Sequence, residues 1–152
     1  MTTLGNIEIL RNEKIAFFAS REVKAKSVIA SYDWAMQMSR EGKTVISGFQ
    51  SKLEQDVLHF LLKGTQPIIK VMARRLPRQK LCEEELKAVD DGRLLIVSLN
   101  EQPRCTKESA SVRNEYIAES ASSIIFASLT AESSLFALYE EMKRSDKNII
   151  LI

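Results

Sequence analysis

The chain has 152 residues, 45% hydrophobic and 28% charged, with 22 basic against 20 acidic side chains and a formal charge of +2. That length and apolar content suit one domain over residues 1–152 with a substantial core. The near balance of charge excludes nucleic-acid binding by bulk charge alone, and no apolar run approaches the roughly 18 residues of a membrane span.

The opening stretch, Met1 to Asn12, is mixed polar and lacks the charged-then-apolar order of a signal peptide. Short apolar runs then alternate with helical patterns. The runs are Lys14–Ala19, Thr44–Ser47, Pro67–Val71, Leu94–Ser98, Ser123–Ala127 and Asn148–Ile152. Each is continuously apolar rather than alternating, as in strands of a parallel sheet buried on both faces. Between them, Val28, Tyr32, Ala35 and Met36 keep a helical spacing before Gly42, and Leu53, Val57, Phe60 and Leu61 do so before Gly64. Ser51 and Glu54 have capping-box spacing. Cys82 opens a third helix that ends near Gly92, and a helix with a poor apolar stripe is expected from about Lys107 to Ser120. Leu135, Leu138, Tyr139 and Met142 form the last stripe. The repeated helix–Gly–strand order predicts right-handed βαβ units. The fold class is therefore α/β: a Rossmann-like three-layer sandwich with a mostly parallel sheet of about six strands.

In such a sheet ligands bind beyond the carboxyl ends of the strands. Ser20 and Arg21 follow the first run, with Ser20 a candidate N-cap and Arg21 expected in the first helical turn. Ser47, Gly48 and Phe49 follow the second. Gly48 would let backbone approach a ligand, Lys52 could neutralise a phosphate, and Phe49 either stacks on a base or plugs the sheet edge. The third run leads into Arg74, Arg75, Arg78 and Lys80, the densest basic stretch. Arg113 and Asn114 are read as the entry to a helix that feeds the strand at Ser123–Ala127. Arg offers a planar fork of donors for phosphate, with the Asn amide beside it. Ser133 and Ser134 precede the last helix, where small hydroxyls bond phosphate oxygens or simply cap. The four strand-end positions Ser20, Ser47, Ala73 and Arg113 are expected to converge at one sheet edge.

Other motifs fail. Gly42-Lys43-Thr44 imitates the tail of a P-loop but precedes a strand, and no G-x-G-x-x-G follows one. His59, the one histidine, lies within a helix pattern without a partner at ligand spacing and is read as structural. Cys82 and Cys105 fit no metal spacing, which suits a reduced cytoplasmic setting. No nucleophile–base–orienter set emerges, so no enzymatic activity, metal or cofactor is expected.

The order Ala-Ser-Arg at 19–21, Val-Ile-Ser-Gly at 45–48, Arg-Asn at 113–114 with Ile117-Ala118, and Ser-Ser-Leu at 133–135 resembles the Rossmann-like domain of the DNA-processing protein A (DprA/Smf) family. The match runs from about Lys14 to Ile152. The resemblance implies single-stranded DNA as ligand, a recombinase as protein partner, and a role in DNA uptake or recombination. It places Ser20, Arg21, Ser47, Gly48, Arg113, Asn114 and Ser134 at family motif positions. Relatives of this type commonly dimerise, which makes a homodimer one expected state. The chain departs from the family pattern. Ala19 stands for a Gly, Glu115 for an Arg, Ser51-Lys52-Leu53-Glu54 lies in the region of a Gly-Ile-Asp, and the flanking domains of larger members are absent. This reads as a divergent, stand-alone relative that binds single-stranded nucleic acid. Two alternatives stay open: a sensor of a free nucleotide or nucleotide-derived signal, and a scaffold that keeps the fold without the ligand. The phosphoribohydrolases of the wider superfamily carry Pro-Gly-Gly-x-Gly-Thr, which this chain lacks.

Overall fold

A computed structural model of the chain describes residues 1–76 and 81–152. Among them seven strands form one sheet: β1 (Thr2–Leu4), β2 (Lys14–Ala19), β3 (Thr44–Ser47), β4 (Ile68–Met72), β5 (Leu94–Ser98), β6 (Ser123–Ala127) and β7 (Asn148–Leu151). Five α-helices connect them: α1 (Ala25–Glu41), α2 (Lys52–Leu62), α3 (Glu83–Asp90), α4 (Lys107–Ser120) and α5 (Phe136–Met142). The strand order is β1-β5-β4-β3-β2-β6-β7. All pairings are parallel except β1 with β5, where Thr2 lies opposite Ser98 and Leu4 opposite Ile96. This is the expected Rossmann-like class with one strand more than the apolar runs gave. The extra strand is three largely exposed residues, Thr2–Leu4, too short and polar to register as a run.

Continuous apolarity does what both-face burial requires. Every residue of β3 and β5 is buried. One core lies between the sheet and α4 and α5, around Phe18, Ile69, Val97, Ile117, Phe126 and Leu138. The other lies under α1, α2 and α3, around Phe17, Val45, Leu53, Leu61, Ile96 and Ile125. The face of α1 differs from the expected stripe. Its buried residues are Ser27, Ser31, Ala35 and Met38, whereas Met36 is exposed. Small residues at 27, 31 and 35 let α1 lie close on the sheet, and the larger side chains flank the contact. The helix ends at Gly42, whose φ of 68° is the left-handed turn that favours glycine.

At the start of α2 the Ser51–Glu54 capping box is complete. Glu54 does more than cap. Its buried carboxylate accepts from the backbone N–H of Ala19 at 2.9 Å, Gln50 at 2.9 Å and Ser51 at 3.2 Å. It therefore ties the carboxyl end of β2 to the loop that follows β3.

Candidate functional site

Arg113 is the side chain around which this edge of the sheet is arranged. It sits in the middle of α4 rather than at a helix entry, one turn ahead of Ile117 and on the same helix face. That face turns inward, so Arg113 is only 7% exposed. Its Nε donates to Asn114 Oδ1 at 3.1 Å, and among the described residues its guanidinium meets no carboxylate. Gly48, just beyond β3, supplies the room. A Cβ placed there would come within 2.8 Å of Arg113 Nε and 3.0 Å of Cζ. A buried cation without an ion-pair partner is costly unless something else compensates it. Here its donors line an open cleft.

Two clefts flank the Arg113–Asn114 pair. The first, about 650 Å³, joins Gly48, Ala73, Arg74, Arg104 and Arg113 at the strand ends and runs between α2 and α3. Its far wall holds Lys70 Nζ 3.1 Å from Glu85 Oε2, both largely buried, and the Cys82 thiol donates to Glu85 Oε1 at 3.4 Å. His59 Nδ1 lies 3.4 Å from Glu84 Oε2 on the rim. The second cleft, about 880 Å³, lies between α4 and α5 at the ends of β2 and β6. Ser20, Arg21, Asn114, Ser133 and Ser134 line it together with Glu22, Glu115, Glu132 and Glu141. The hydroxyls of Ser20 and Ser133 are 2.9 Å apart.

Ser20, Ser47, Ala73 and Arg113 thus share the carboxyl edge, but within it they part. Ala73 and Arg113 line the first cleft, and Ser20 lines the second. Ser47 lines neither. Its hydroxyl is fully buried, donates to the Phe17 carbonyl at 2.8 Å and accepts from Phe49 N–H. Phe49 is 3% exposed and belongs to the core, its φ of 48° turning the ring inward, so it offers no free face for stacking. Lys52 lies 2.6 Å from Asp56, away from both clefts. That hydrogen bond raises the pKa of Lys52 and lowers that of Asp56. Arg21 is not in the first turn of α1, which begins at Ala25. Lys24 is the N-cap residue, its N–H held by Ser128 Oγ, and Ser20 is engaged with Ser133 instead. Of the basic stretch, Arg74 lines the first cleft, while Arg75 is exposed and outside it. Arg78 and Lys80 lie outside the described residues.

His59 has its acidic partner on the next helix, where spacing within its own helix could not reveal it. Lys70, Glu85 and Arg104 were not expected in the site. A signal existed for Lys70: it is the single charge inside an apolar strand run, and a lysine there needs a partner. Among the described residues no cluster of three or more His, Cys, Asp or Glu could hold a metal ion, and no helix is long and apolar enough to cross a membrane.

The architecture is that of Rossmann-like α/β proteins with a crevice at the carboxyl edge, and the chain has the fold of DNA processing protein A structures. The counterpart from Streptococcus pneumoniae superposes with a TM-score of 0.75 at 20% identity, covering 98% of this chain and 53% of that one. This chain thus spans about half the length of the Streptococcus protein. The Helicobacter pylori protein, described by its single-stranded DNA binding mode, gives 0.78 at 16% identity over 98% of this chain and 69% of that one. A molybdenum cofactor carrier protein from Chlamydomonas reinhardtii gives 0.61 at 10% identity, covering 93% and 76%. No family model and no curated protein matches the sequence.

Proposed function

We propose that this chain binds single-stranded nucleic acid, without catalysis, along the first cleft, with Arg113 as the phosphate anchor. The observation that carries the reading is the guanidinium itself: nine-tenths buried, free of carboxylates among the described residues, packed on Gly48 and facing a cleft. Arg74 and Arg104 add charge along the same wall. The likeness to DNA processing protein A supports single-stranded DNA as the ligand. By the same resemblance we propose a role in DNA uptake or recombination in the cytoplasm, a recombinase partner and a homodimer. The continuous sheet from Thr2 to Leu151 supports reading residues 1–152 as one domain.

Fluorescence anisotropy with labelled oligonucleotides tests this. Affinity should fall with salt at a slope of about −0.7 per phosphate contact. Arg113→Ala should remove about 1.5–3 kcal/mol, equally for every sequence, because a phosphate contact reads no base. Binding indifferent to both salt and Arg113 overturns the reading.

The size of the first cleft favours one second reading. About 650 Å³ suits a single mononucleotide-sized ligand, which is the scale of a free-nucleotide sensor. The likeness to a molybdenum cofactor carrier supports small-ligand binding as a use of this fold. Affinity confined to mononucleotides would select it.

A further inference from the structure

The far wall of the first cleft holds a feature that phosphate binding does not use. Lys70 projects from the middle of β4 toward the α2–α3 side, where its neighbour in register on the same face, Ile68, packs into the core. An ammonium there needs a partner, and Glu85 on α3 supplies it at 3.1 Å. Their side chains are 20% and 12% exposed, and both line the cleft. One ammonium and one carboxylate thus sit side by side in the wall of a cleft that Arg113 also lines.

Along β4 and just past its end the cleft is lined from Lys70 to Ala73, about 10 Å of chain. That is the order of the distance from a nucleotide's phosphate to the far edge of its base. Leu58, Leu62 and Met72 also wall the cleft, apolar side chains suited to the faces of a flat ring.

We propose that this slot holds a guanine base, read by Glu85 and Lys70, with its phosphate on Arg113; the inference rests on the anchor reading above. The chemistry selects the base. The Watson–Crick edge of guanine presents one carbonyl oxygen beside two adjacent N–H donors. A carboxylate accepts the two donors together, and the neighbouring ammonium donates to the oxygen. Adenine and cytosine offer one exocyclic amine beside an acceptor, and thymine places its single N–H between two carbonyls. None of these fills both oxygens of Glu85. The weak thiol bond from Cys82 to Glu85 Oε1 leaves lone pairs on both carboxylate oxygens. The guanine arrives either as a free nucleotide or within a strand, and the same contacts serve both.

The test uses the full chain. Five-nucleotide thymine oligomers carrying one central guanine, adenine or cytosine are compared by anisotropy, and GMP, AMP, CMP and UMP by calorimetry. Guanine should bind about tenfold tighter than the other bases, the scale of one bidentate base contact. Glu85→Gln should erase that preference, so that the guanine, adenine, cytosine and all-thymine oligomers bind alike, and Lys70→Met should reduce it. GMP binding as tight as the oligomer assigns the slot to a free nucleotide; binding only by oligomers assigns it to a strand. Either result supports the slot. Equal affinity for all bases in the unmutated protein overturns it, and needs no variant to fold. So does a guanine preference that survives both substitutions in folded protein. If base preference is absent but Arg113→Ala still weakens every oligomer, the slot falls and the phosphate anchor stands. If Arg113→Ala changes nothing, the anchor reading falls with it.

Discussion

On the β3–β5 side of the Arg113–Asn114 pair, the described walls carry Lys70, Arg74, Arg104 and Arg113 against Glu84 and Glu85. On the β2–β6 side, Arg21 and Lys107 face Glu22, Glu115, Glu132 and Glu141. Both clefts open on one sheet edge, and two consecutive residues of α4 point one into each. The second cleft occupies the topological switch point, where the strand order runs away from β2 in both directions and where α/β sheets usually hold their ligands. Its surplus of carboxylates repels phosphate. Topology offers the crevice, and side-chain charge decides which part of it an anion can use.

The sharpest way to break this contrast is at the floor of the first cleft. Phe49→Ala should lower stability in urea unfolding by about 3–5 kcal/mol, because the ring is core. Unchanged stability with weakened oligonucleotide binding would instead make Phe49 part of the ligand surface. Next is Gly48→Ala. The added methyl meets the guanidinium, so Arg113 must leave its rotamer, costing about 1 kcal/mol of oligonucleotide affinity. Full affinity in that variant would mean that the anchor does not need its seat. On the other side, Glu115→Gln should raise oligonucleotide affinity about two- to threefold by removing one repulsive charge, the scale of a surface charge interaction. A fall would bring the second cleft into the binding path. The smallest effect is expected from Ser20→Ala, whose hydroxyl is engaged with Ser133. Anisotropy should register no change, and a clear loss would erase the distinction between the clefts.

Much of the fold could be read directly from residues. The runs at Lys14–Ala19, Thr44–Ser47, Leu94–Ser98 and Ser123–Ala127 are strands with those bounds, and the helix at Lys107–Ser120 formed despite its poor stripe. A strand buried on both faces announces itself by local composition. Strand β1 does not, because its existence depends on distant pairing to β5. The site was legible only in part, for a similar reason. The positions of Gly48 and Arg74 follow from chain order and the rule of strand ends, whereas Arg113, read as a helix entry, reaches the cleft from the middle of α4. Whether Ser47 faces a ligand or the Phe17 carbonyl, and whether Phe49 points out or in, depends on backbone angles that residue type does not set. Likewise Glu85 and Lys70 are 15 residues apart and meet only through the packing of α3 on β4.

Glu54 has a consequence for motion. Its one carboxylate receives the amides of Ala19, Gln50 and Ser51, the first at the end of β2 and the others in the turn after β3. Neither segment can move away without stripping donors from a buried carboxylate, so the two should open together as a single unit. In native-state hydrogen exchange these three amides should share one opening free energy, although 31 positions separate the first from the second. Glu54→Gln should split them into two rates, so that the end of β2 and the turn after β3 open independently.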